Sequence, residues 1–170
     1  MPGTAGGLIQ AAKNSFIMRS GPMCHDAVFE WLQNAGYVDG NAHRQVFGIG
    51  DRSSIFAEIM VSETDPIVTS LDHFAQLPGG TIIGFWKDKK IMHSVITLGN
   101  RMLAGANNAG IFDSAGKIPK VHDNLRSLFL LSQIKWHPHN ATAGMDGFTT
   151  HYQTADVIAA RINAKANSQA

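Results

Sequence analysis

The chain has 170 residues, 44% apolar and 16% charged, with net charge +1 and one cysteine. Such a length suits a single domain, residues 1–170, with a sizeable core, and a charge so near zero gives no electrostatic case for nucleic acid or an acidic membrane surface. No apolar run approaches the ~20 residues that span a bilayer, and one cysteine excludes both an intramolecular disulfide framework and Cys-rich zinc sites.

The opening "MPGTAGGLIQAAKNSF" lacks a basic segment followed by a long apolar core, so no secretory signal is read. Synthesis in the cytoplasm, a reducing compartment, is expected, with export left to a specialised route. A short helix is expected over Leu8–Met18. The clearest helix is Cys24–Ala35, where Cys24, Ala27, Val28, Trp31, Leu32 and Ala35 recur at i, i+3, i+4, i+7, i+8 and i+11 along one face. Gly36 is its expected C′ residue. Val38–Arg52 reads as loop. Ser53–Val61 and Pro66–Leu77 read as helices, the second capped by Asp65 with Pro66 in its first turn.

After "LPGG" the pattern changes. Thr81–Trp86 is a short apolar run that reads as a buried strand, and Ile91–Leu98 is β-branched and strand-like. Gly99–Asn100 reads as a two-residue type II′ turn, with Arg101–Ala106 as the return strand. "GIFDSAGKI" holds another candidate strand, and Leu125–Trp136 fits either helix or strand. Thr154–Ile162 reads as a terminal helix and residues 163–170 as a frayed tail. Helices first and an antiparallel sheet after them argue an α+β fold, with N-terminal helices packed on a small sheet.

Cys24 begins its helix, where unpaired N–H groups and the macrodipole favour a thiolate. A catalytic thiol needs a base and a group to orient that base. With Gly99–Asn100 as the turn, Leu98 faces Arg101, Ile96 faces Leu103 and His93 faces Ala106, so Asn108 lies diagonally on the His93 side. A one-residue bulge would exchange Asn108 for Asn107. Asp113 and Asp123 are the other candidates for the third position.

A cysteine opening a helix, a histidine beginning a hairpin and an Asn or Asp beyond it follow the order of papain-like cysteine hydrolases. "LPGGTIIGFWKDKKIMHSVITLGNRMLAGANN" resembles the His-strand unit of compact bacterial members, the NlpC-type and amidase-type peptidoglycan hydrolases. The His-to-Asn interval is also similar to that of YopT-like effector proteases. The resemblance covers about residues 20–112. His25 and Asp26 stand where the family has small residues after its nucleophile, and Gln10 is the only glutamine ahead of Cys24.

The resemblance implies a papain-like fold and a cysteine amide hydrolase (peptidase, amidase or deamidase) that needs no cofactor. Cys24 is then the nucleophile, His93 the base and Asn108 the orienter. It also implies a bacterial secreted toxin or effector acting on peptidoglycan stem peptides or a host protein, with a cognate immunity protein as partner. The rival reading is a non-enzymatic binding or adaptor protein with Cys24 structural. His137 and His139 alternate as zinc ligands on a strand do, but spacing pins no third ligand and Pro138 favours a turn, so no metal is assigned.

Overall fold

In a computed structural model, residues 3–14, 24–47, 52–106, 108, 126–134, 136–137, 142–143 and 148–168 are described. Helix α1 is Ala5–Lys13 and α2 is Cys24–Asn34. Gly36 has φ +85°, and the N–H groups of Tyr37 and Gly36 bond the carbonyls of Leu32 and Gln33. This Schellman closure is the reason for a glycine there. Two further helices follow, α3 (Ala42–Phe47) and α4 (Arg52–Ile59).

Residues 42–47 correct the expectation of a loop over Val38–Arg52. Ala42 and Val46, one helical turn apart, are buried, and the burial of that short stripe outweighs weak local signals. Helix α5 is Leu71–Gln76, five residues later than the proposed start at Pro66. Its cap is Ser70, whose Oγ accepts from His73 N–H at 3.0 Å. Asp65 has another partner: Arg161 donates to both of its carboxylate oxygens, at 2.7 and 2.8 Å. Pro66 O instead accepts from Tyr152 N–H, and Ile67 forms an isolated bridge with His151.

The strands are β1 (Ile82–Lys87), β2 (Lys90–Gly99), β3 (Met102–Ala106), β4 (Arg126–Leu130), β5 (Trp136–His137), β6 (Thr142–Ala143) and β7 (Thr149–Gln153). Five of them form an antiparallel sheet in the order β4-β3-β2-β1-β7, and β5 pairs with β6. The stretch that fitted helix or strand becomes β4 followed by a 3-10 turn, Leu131–Gln133. Helix α6, Ala155–Ser168, runs through most of the segment expected to fray. Ala155, Ile158, Ala159, Ile162 and Ala166 form its buried stripe, so the helix persists while it has core to cover.

Strand residues alternate between two cores. Ile82, Ile96, Ala104 and Ala106 face the layer of α1, α2, α3, α4 and α6. Ile83, Phe85, Val95, Leu103 and Phe129 face a smaller core with Val68, Phe74, Leu77, Ile134 and Phe148. The observed architecture is therefore α+β, with helices before and after the sheet. The candidate strand in "GIFDSAGKI" lies outside the described residues.

Gly84 sits where β1 meets the segment leading from α4. A Cβ there would lie 2.8 Å from Val61 Cβ and 3.4 Å from the Val61 carbonyl oxygen. Gly84→Ala is expected to lower unfolding free energy by about 1–3 kcal/mol, the range for overpacking a filled core. Chemical denaturation measures it, and an unchanged midpoint would contradict this packing.

Candidate functional site

The site is built where β3 ends beside β2. The turn between them uses Asn100 and Arg101, with φ of +52° and +61°, the backbone of a type I′ turn. This corrects the expected Gly99–Asn100 turn. Ile96 pairs with Ala104 and Val95 with Gly105, one residue away from the expected register, with an irregularity between Thr97 and Gly99. Phe85 pairs with His93, and their rings stack with centroids 5.7 Å apart on the smaller-core side of the sheet.

Asn108 reaches His93 despite the shifted register. Its side chain lies against Gly105, and its Nδ2 donates to Gly105 O at 2.9 Å. That carbonyl can only accept, which turns Asn108 Oδ1 toward His93 Nε2 at 2.9 Å. Oδ1 can only accept as well, so Nε2 carries the imidazole proton and Nδ1 keeps its lone pair. A Cβ on Gly105 would overlap Asn108 Oδ1 and lie 2.7 Å from Val95 Cγ1. Gly105 is thus a site residue that the sequence reading missed. Its signal was present: a lone glycine inside the strand "MLAGA" marks a close approach.

Cys24 opens α2 and is 5% exposed. The β2–β3 pairing stops at Val95–Gly105, and the next N–H of β2 facing β3, that of Ser94, turns to the Cys24 sulfur. Backbone N–H groups lie in the sheet plane, so Sγ sits at the strand rim, beside the residue that follows His93. Among the described residues no hydrogen bond links Sγ to the His93 ring. Helix α2 itself packs on the opposite side of the sheet from that ring.

Electrostatics reverse the expectation of an acidified thiol. Burial pushes Cys24 up to about 11, while N–H groups of Ser94, His25 and Cys24 itself pull the other way and Asp26 adds to the rise. Burial likewise holds His93 down at about 4, opposed by Asn108 and reinforced by His25. At neutral pH both groups are uncharged.

His25 falls outside the apolar stripe read for α2, yet it is 8% exposed. Its Nδ1 lies 2.7 Å from Ser94 Oγ, and its ring tilts against Phe56 of α4 at 5.0 Å. Burial lowers His25 to about 4, opposed by the Ile91 carbonyl and Asp26. Asn107, Asp113, Asp123 and His139 lie outside the described residues, as does the His137 side chain. Among the described residues no three His, Cys, Asp or Glu side chains gather as a metal site, and no helix is long and apolar enough to cross a membrane. No family model, curated protein or solved structure matches the chain.

Two outcomes follow from this geometry. His25 and His93 are held below the ordinary 6.5, so the unfolded chain takes up protons first on acidification. Their contribution to stability is complete above about pH 6.5 and is lost as pH falls to about 4. Thermal midpoints should drop across that window, and less so in His93→Asn; a flat profile would contradict buried neutral rings. Gly105→Ala should displace Asn108, and imidazole nitrogen NMR should then show faster exchange of the His93 Nε2 proton.

Proposed function

We propose that this chain is a papain-like cysteine amide hydrolase in which Cys24 is the nucleophile, His93 the base and Asn108 the orienter. The observation that carries the reading is the His93–Asn108 hydrogen bond, 2.9 Å between Nε2 and Oδ1. It leaves Nδ1 as the basic nitrogen on an imidazole adjoining Ser94, whose N–H bonds the sulfur. Support also comes from the order of cysteine helix, histidine hairpin and asparagine.

In the proposed reaction Nδ1 takes the thiol proton as sulfur bonds to the amide carbonyl carbon. This step requires the start of α2 and the His93 ring, on opposite sides of the sheet at rest, to come together at the strand rim. Backbone N–H groups at the start of α2 receive the negative charge on the carbonyl oxygen. Imidazolium then passes its proton to the leaving amine as the C–N bond breaks, giving a thioester. Water, deprotonated by His93, cleaves the thioester and restores the thiol. Because thiol and imidazole rest uncharged, proton transfer accompanies attack and does not precede it. The proposed substrate is an amide in a peptidoglycan stem peptide or a host protein, and the proposed setting is a bacterial secreted toxin or effector.

A second reading is favoured by one observation, the burial that leaves Cys24 5% exposed and its thiol at about 11. Cys24 is then a structural thiol in a binding or adaptor protein. Iodoacetamide separates the two. The hydrolase reading expects labelling of Cys24 near neutral pH, slowed at least tenfold in His93→Ala and less in Asn108→Ala. Slow labelling that is indifferent to His93→Ala, and that rises only as pH approaches about 11, would establish the structural thiol.

A further inference from the structure

Beside His93 and Asn108 lies a further buried polar pair, His25 and Ser94, that their assigned role does not use. Ser94 is 0% exposed and its hydroxyl lies 2.7 Å from His25 Nδ1. Both residues adjoin the candidate pair: His25 follows Cys24 on α2, and Ser94 follows His93 on β2. Helix and strand are therefore joined twice at one point. Side chain meets side chain between His25 and Ser94, and the Ser94 N–H meets the Cys24 sulfur. A hydroxyl and an imidazole buried together are costly to separate, because each would lose its partner away from water.

We infer that His25 is a positioning residue for Cys24, and that its hydrogen bond to Ser94 fixes the start of α2 against β2 so that the Ser94 N–H points at the sulfur. The inference rests on the reading of Cys24 as a nucleophile. Sliding of the helix start along the strand would break the side-chain bond and misalign the N–H together. Phe56 packs against the His25 ring, with ring centroids 5.0 Å apart, and the Ile91 carbonyl faces it as well. Among the described residues, the other titratable groups near the clamp are Asp26 on α2, 3.5 Å from His43 of α3, and His93 on β2.

The test is the pH–rate profile of Cys24 alkylation by iodoacetamide in the full chain, for wild type, Ser94→Ala, His25→Ala and His25→Asn. Ser94→Ala removes one oxygen and keeps the backbone N–H, so it measures alignment alone. Loss of the clamp should slow labelling at pH 7 about tenfold and raise the apparent thiol pKa by about one unit. His25→Asn, whose amide can still bond the Ser94 hydroxyl, should recover most of the rate while His25→Ala does not. Circular dichroism establishes that each variant is folded, and Ser94→Ala decides alone if His25→Ala is not.

Unchanged rate and profile in Ser94→Ala overturn the inference, and so does faster labelling, which would make the pair a seal against solvent. The hydrolase reading fails separately, in wild type, if labelling is slow and indifferent to His93→Ala, and it takes the inference with it. His93-dependent labelling with normal Ser94→Ala behaviour removes the inference alone.

Discussion

The N–H of Ser94 lies past the last pair of the β2–β3 ladder, and the sulfur of Cys24 accepts it. A strand edge ending inside a protein must find partners for its backbone groups. Here the first two residues of α2 supply them. The sulfur meets the Ser94 N–H, and the His25 ring faces the Ile91 carbonyl. Helix and sheet are thereby locked at one rim. Ser94 points its hydroxyl into the helix layer while His93, one residue away, points its ring into the smaller core. The candidate site straddles the sheet because neighbouring strand residues must point to opposite faces.

Charge at this rim is governed by burial. Desolvation is the largest influence on Cys24, His25 and His93, and it holds each in its neutral form near pH 7. An ion pair at rest would place two charges where water is scarce. The three N–H groups at the sulfur work against that preference. They favour negative charge on the sulfur, and burial outweighs them.

Much of this was legible from local pattern. The 3.6-residue stripe and Gly36 marked α2 to within a residue, and the β-branched run marked β2. Burial of His25 was not legible, because α4 supplies the covering Phe56 from 31 positions along the chain. Asp65 looked like a cap because its true partner, Arg161, is 96 residues away. The turn was misread by one residue because Gly99 invites a positive φ, and the chain adopts one there while also using Asn100 and Arg101. The His93–Asn108 contact tolerated that slip because Asn108 lies over a glycine, where side-chain alternation ceases to matter. For His93 and Asn108 the meeting was legible and its path was not, whereas the expected meeting of the Cys24 helix with the His93 side of the sheet is not made, because α2 packs on the other face.

Arg161 has a consequence for how the chain comes together. It bonds both the Met60 carbonyl and Asp65, and the stripe of α6 joins the same core as α2, α3 and α4. On the other side of the sheet centre, β1 finds its second neighbour only in β7. Until β7 and α6 are made, β1 has one edge bare and the helix layer lacks the cover of α6. Closure waits for residues near 150–162, so the β1–β7 pairing and the docking of α6 carry the largest loop-closure cost in this sheet and helix layer. A chaperone that holds the nascent chain has the bare edge of β1 and the inner faces of α3 and α4 to grip until then.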